Sequence, residues 1–204
     1  MPPRVLAGIL SEGSYSPDPV MAEYFGGVLA SSRSGVSRDD RGAFFTSILS
    51  RLSSYHIRAH YVLYATLRSV HSEDTRSFLS EEGRRQLSTF LPAAGFAASM
   101  AFEADEDLGL LVSHILFGLE RENLIGVQFS FGEAEHIRKA IYPGAPGAGL
   151  VFGPSPLGVE LFLWAHGLGQ AHPLTFFSTD FGPMPMAEVA TPTGGVAVHP
   201  REAP

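Results

Sequence analysis

His56 and His60 are the first residues in this chain whose types and spacing could do chemistry together. Four positions apart on a helix, their rings point the same way, as a two-histidine metal site requires. They share that stripe with Leu63, Leu67 and Val70, and His71 lies near it. No Glu follows His56, so the metalloprotease pattern is not formed, and the apolar company favours a hydrogen-bonded pair on a packing face. Glu103, Asp105, Glu106 and Asp107 lack the glycine and closing glutamate of a calcium loop and read as the acidic entry to a helix. The glycine-rich segments at 13–19, 143–149 and 153–158 lack the lysine of a phosphate loop and the glycine order of a dinucleotide fold, and read as turns. No serine sits in a G-x-S-x-G or S-x-x-K setting. The expectation is therefore no catalytic residue, no cofactor and no metal, with His56 and His60 as the metal candidates held in reserve.

The elements that would position these residues are mainly helices. Pro2 and Pro3 lead into an apolar stretch from Val5 to Leu10 that suits one or two helical turns. Ser16 or Asp18 can cap a helix over about 18–32, with Pro19 in its first turn and Val20, Tyr24, Gly27 and Val28 at helical spacing. Gly26 and Gly27 inside it imply that another helix packs closely there. Phe44, Phe45, Ile48, Leu49 and Leu52 mark another helix, and Ser53-Ser54 cap one from Tyr55 to about His71 that is apolar nearly all round and so the most enclosed. A charged stretch from 72 leads to an extended segment at Thr89–Pro92, and a small-residue helix is expected over 93–102. Leu108, Leu111, Val112, Ile115 and Leu119 give the strongest helical pattern of all.

Leu124 to Phe131 alternates as a half-buried strand does. A polar stretch and a turn-rich segment follow, then a return strand at Leu150–Phe152 and a buried helix at Leu157–Trp164, where Trp164 fills core volume. From about Gly182 the Pro- and Gly-rich sequence reads as a poorly ordered tail, with the segment at 175–178 able to dock as a strand.

Composition narrows the setting. With 204 residues and 45% hydrophobic content the chain can bury a real core. A formal charge of -7 opposes approach to nucleic acid or anionic lipid, and no apolar run is long enough to span a bilayer. The absence of Cys removes thiolate chemistry and disulfides and makes the cytoplasm the simplest compartment. A single Lys among fourteen basic residues, with abundant Ala, Gly, Pro and Arg, suggests a GC-rich bacterial genome.

The order helix, strand, polar excursion, strand, helix from Asp107 to His166 resembles a winged helix. Leu119 to Ile125 and Ser155 to Gly158 occupy its two junctions, and the wing would span about 132–148. The expected fold is mainly α: a helical bundle over 1–102, a winged-helix-like unit with a small β-ribbon over 103–167, and a Pro/Gly-rich segment over 168–204. Winged helices suggest DNA binding by analogy, with Arg121, Arg138 and Lys139 as the available contacts. Between Leu111 and Gly167 these three face Glu120, Glu122, Glu133, Glu135 and Glu160, a poor surface for phosphates.

Taken together, Pro3 with Ile9-Leu10 and Glu12-Gly13-Ser14, then MAEYFGGVLASS at 21–32, FFTSILSRLS at 44–53, L-x-R-E-N-L-I at 119–125 and PLGVELF at 156–162 resemble the abortive-infection alpha family of bacterial proteins over about residues 2–166. Asn123 stands where that family usually has Gly before Leu-Ile, and Tyr24-Phe25 replace its Trp-Ala. The resemblance implies a role in defence against phage, through growth arrest of the infected cell, and carries over no catalytic residues. The leading expectation is a non-enzymatic defence or regulatory protein acting through protein contacts, with a protein partner or a second copy of itself. A winged-helix DNA-binding transcription regulator and a hydrolase or metal enzyme built on His56 and His60 are the alternatives.

Overall fold

The computed structural model describes residues 5, 6, 8, 18–33, 39–72, 76–179, 181 and 189–198. The expectations for Ile9 and Leu10 as the end of a helical stretch, for residues 11–17 of the polar turn that follows, for residues 34–38 of a solvated loop over 32–42, for the acidic pair Glu73-Asp74 and for the tail at 182–188 and 199–204 lie outside the described residues. Val5, Leu6 and Gly8 are helical, with Val5 fully buried.

Helix α1, Pro19–Ser31, starts as its sequence dictates. Asp18 accepts a 2.8 Å hydrogen bond from the Val20 amide, and proline occupies the first turn, where an amide proton has no partner. Helix α2, Arg41–Leu49, and helix α3, Ser54–Val70, follow. Ser53 caps α3 and the His56 side chain returns the bond to the Ser53 amide, a reciprocal box that satisfies two otherwise unpaired donors. Helix α3 is buried on nearly every side, from His56 and Ile57 through Leu67, as its all-round apolar wheel implies.

A short helix α4, Glu81–Gln86, leads through Leu87 into strand β1, Thr89–Pro92, which runs directly into helix α5, Ala93–Met100. Helix α6, Leu108–Arg121, is capped by Asp107, whose carboxylate accepts from the Leu110 amide at 3.1 Å. Strand β2, Ser130–Gly132, helix α7, Ala134–Ala140, strand β3, Gly149–Phe152, and helix α8, Pro156–Ala165, complete the compact part. Beyond them lie one 3-10 turn at Pro173–Thr175 and strand β4, Val196–Ala197. The fold is mainly helical with a small antiparallel sheet of order β2-β3-β1-β4. Thr89 lies opposite both Phe152 of β3 and Ala197 of β4, so β1 is an interior strand.

Helices α1, α2, α3 and α8 enclose the main core. The expected close packing at the glycine pair belongs to Gly27 alone. A β-carbon there would lie 1.8 Å from the Ala165 carbonyl oxygen, so α1 and α8 touch backbone to backbone, whereas Gly26 faces open space. Trp164 fills core volume, stacked on Phe45 with ring centres 4.7 Å apart. Helix α6 closes on α3 through Ile115, Leu116, Gly118 and Leu119.

Five expectations need correction. The strand expected over 124–131 is confined to Ser130–Gly132, because Leu124 and Ile125 are both buried and Val127 is 78% exposed, which no alternating strand permits. The polar stretch after it is not an extended wing but helix α7, anchored by the buried Ile137. The charged stretch before β1 contains α4, with Ser80 capping and with acids at its start and arginines at its end, each matched to the helix dipole. The segment at 175–178 turns rather than docking as a strand, and inserts Phe176 between Tyr64, Phe78 and Phe162. Within the tail expected to be poorly ordered, Val196 and Ala197 pair with Phe90 and Thr89.

Candidate functional site

The polar interior is built where α1, α3 and α8 meet. Helical spacing on α3 places His60 and Tyr64 on one face, and Tyr24 comes to them from α1. His60 Nε2 donates to the Gly158 carbonyl at 3.1 Å. A carbonyl only accepts, so the ring proton is on Nε2, and Nδ1 accepts from the Tyr24 hydroxyl at 2.7 Å. Burial holds His60 neutral, pushed down to about 3, and pushes the Tyr24 and Tyr64 hydroxyls well above their ordinary value. The Tyr64 hydroxyl donates to the Leu124 carbonyl at 2.8 Å and accepts the Ser155 amide at 3.1 Å, and so pins both ends of the segment joining α6 to α8. Gly158 allows that approach, since a β-carbon there would lie 2.0 Å from the Tyr64 oxygen.

His56 serves a different junction. Its Nδ1 accepts from the Ser53 hydroxyl at 2.7 Å, and its Nε2 lies 3.3 Å from the His114 carbonyl across the α3–α6 contact. Burial lowers its pKa. Ser53 beside His56 has the separation of a nucleophile and its base, but the Ser53 hydroxyl is the cap of α3 and the partner of Nε2 is a peptide carbonyl, not a carboxylate. Both nitrogens of both rings are thus engaged by protein groups, and neither ring bonds the other. Among the described residues no three His, Asp or Glu side chains come together as metal ligands. His71 bonds Thr89 on β1 at 3.2 Å.

His166 ends the aromatic row. Its Nδ1 donates to the Phe162 carbonyl at 2.6 Å, its ring lies against Phe162 and Phe181, and burial pushes it down to about 4. The Arg68 guanidinium covers the Phe181 ring at 3.6 Å.

Arg121, Arg138 and Lys139 each lie beside an acceptor of the protein itself. Arg121, at the end of α6, lies 3.5 Å from a Glu122 oxygen. Arg138 donates to the Ala145 carbonyl at 2.8 Å, and Lys139 pairs with Glu135 at 2.8 Å along α7.

The surface of α6 is unlike the interior. The residues Leu110, His114, Phe117 and Arg121 recur at helical spacing along one outward stripe, where Leu110 is 70% and Phe117 58% exposed. The Phe117 ring meets Phe129 at 5.3 Å and Phe131 at 6.3 Å. On the other side of Phe131 an open groove of about 220 Å³ runs between α5 and α6, lined by Phe96, Phe102, Leu108, Val112 and Phe131 among others. Measured against protein-family models, curated protein sequences and solved structures, the chain matches none of them. The arrangement itself therefore carries the functional reading. Two of its parts escaped the sequence pattern. Leu110 and Phe117 fall outside the stripe that packs inward, a surplus of apolar residues that could have marked them. Phe129 and Phe131 fall, by alternation, on the apolar side of the strand expected over 124–131, which hides their place beside Phe117.

Proposed function

We propose that this protein is a non-enzymatic bacterial protein of phage defence that acts by binding other proteins, with α6 as its contact helix in a winged-helix-like unit. The observation that carries the reading is the exposed stripe of α6, in which two large apolar side chains occupy the outward face. A helix stripe of this kind favours a protein surface as partner, since apolar area is stabilised by removal from water.

The winged-helix part of the proposal draws support from chain order. Strand β1 enters the helix pair α5 and α6, β2 leaves it, and β3 returns between β2 and β1. On this reading β1 is added to the unit expected over 103–167, α6 holds the recognition position and α7 rides in the wing. Asn123 has a left-handed backbone with φ of 57°, the conformation for which glycine is favoured at the junction quoted above. DNA would need cations on α6, and its outward stripe offers Arg121 alone. The setting in phage defence rests on the resemblance to the abortive-infection alpha family.

Expression in a phage-sensitive host, scored by plating efficiency, tests the setting: reduced plating of at least some phages is expected, and unchanged plating across a broad panel would overturn it. A mobility-shift titration at low salt tests the mode of action: no shift of duplex DNA at micromolar protein is expected, and a tight shift would transfer the reading to a transcription regulator.

A further inference from the structure

The groove between α5 and α6 has a composition that selects its occupant. Helix α5 contributes no charged residue, only Ala93, Phe96 and Ala97 among its wall, and α6 contributes Leu108, Gly109 and Val112. Among the described residues lining the groove, Glu133 is the sole charged side chain. Its end is the loop from α5 to α6, where Phe102 and Leu108 flank Glu103, Asp105, Glu106 and Asp107, three of them exposed. Glu106 is held in place by the Glu103 amide at 2.7 Å and by the Tyr55 hydroxyl. An apolar floor with an acidic rim is complementary to an apolar anchor flanked by cations.

The rim also argues against a second copy of this chain in the same place, since a surface drawn from a protein at -7 is a poor match to an acidic loop. The eight residues of α5 give the groove a length of about 12 Å, two helical turns. That length suits apolar anchors three or four residues apart. Phe131, which lines the groove and also touches Phe117, makes it continuous with the exposed stripe of α6.

We propose that this groove binds a cationic amphipathic helix of a partner protein, inserting apolar anchors between α5 and α6 while its basic residues meet Glu133 and the acidic loop. The proposal rests on the protein-contact reading above and locates that contact. The probe is a fluorescent synthetic helix with Leu along one face and Lys on the others, measured by anisotropy against the full chain. Two controls accompany it: the same composition with Leu and Lys scrambled, and the same pattern with Glu for Lys. The amphipathic Lys peptide is expected to bind at least about tenfold more tightly than either control, weakening as salt is raised.

Leu108→Asp, at a side chain 44% exposed, is expected to abolish the preference without loss of fold by circular dichroism. Glu133→Lys is expected to weaken binding while leaving the scrambled peptide little affected. Equal binding of the scrambled peptide, equal binding of the Glu peptide, or binding indifferent to both substitutions would overturn the proposal. So would a dimer in sedimentation that Leu108→Asp dissolves, because a second copy would then own the groove. Plating efficiency separates the two levels: wild-type protein without protection defeats the phage-defence reading and leaves the peptide result standing. Protection retained by Leu108→Asp defeats the groove alone.

Discussion

Two regions of this protein treat aromatic rings and histidines in opposite ways. Between α1, α3 and α8, Tyr24, His60 and Tyr64 are buried and each polar atom has a partner on another element. Along α6, Leu110, His114 and Phe117 face outward, and the groove beside them is open. A polar group in the interior costs stability unless it is paired, and pairing across elements fixes how the helices dock. An apolar group left largely in water contributes less to that docking. The difference separates the part of the molecule that specifies the fold from the part available to a partner.

The largest effect should come from breaking the interior at its tightest point. Gly27→Val places a β-carbon on the Ala165 carbonyl and is expected to cost more than about 4 kcal/mol, seen as loss of cooperative urea unfolding, while Gly26→Ala, which meets nothing, should stabilise by about 0.5–1 kcal/mol. Next, His60→Leu leaves the Gly158 carbonyl and the Tyr24 hydroxyl buried without their partner, for an expected loss of about 2–4 kcal/mol by the same measurement.

Acid sharpens the comparison further. A histidine in the unfolded chain protonates near 6.5, but His60 is held to about 3 and His166 to about 4. The unfolded chain therefore binds more protons throughout that interval. Stability is full above about pH 7 and falls as pH drops from about 6.5 toward the folded values, by up to about 1.4 kcal/mol per pH unit for His60 and less for the partly exposed His166. Urea midpoints at a series of pH values should show this slope, and His166→Phe should reduce it.

The smallest effect on stability belongs to the surface. Leu110→Asp, at a side chain 70% exposed in the first turn of α6, should change it by less than about 0.5 kcal/mol, yet abolish the protein's biological effect if α6 is the contact helix. Arg51→Ala, which removes an exposed pair with Glu122 at 2.7 Å, should be equally mild by thermal unfolding and leave the biological effect intact.

The long helices were legible because a buried stripe repeated over several turns leaves a periodic trace, as in α3 and α6. Strand β1 was legible through Pro92, which cannot continue a ladder. Helices α4 and α7 were not found because each buries little, Gly83 in one and Ile137 in the other, so no period can emerge. Their signals were electrostatic: Glu81-Glu82 before Arg84-Arg85, and Glu135 before Arg138-Lys139. The truncated β2 was hidden by the left-handed turn at Asn123, where the Leu124 amide returns to the Leu119 carbonyl and redirects the chain. Strand β4 could not be read at all, since its pairing with β1 is set by residues far upstream. His56 and His60 were correctly placed on one helix, but their partners, Tyr24, Gly158 and His114, lie on other helices and leave no mark on local spacing.

The interior position of β1 bears on how the protein is made. Thr89 and Phe90 leave the ribosome before Val151 and Phe152, and these before Val196 and Ala197, so a nascent chain carries β1 with two unpaired edges until β3 is made and with one until β4 is made. Completion of the sheet waits for Val196 and Ala197, and truncation before them leaves one flank of β1 open to pairing with a neighbouring chain on a crowded polysome.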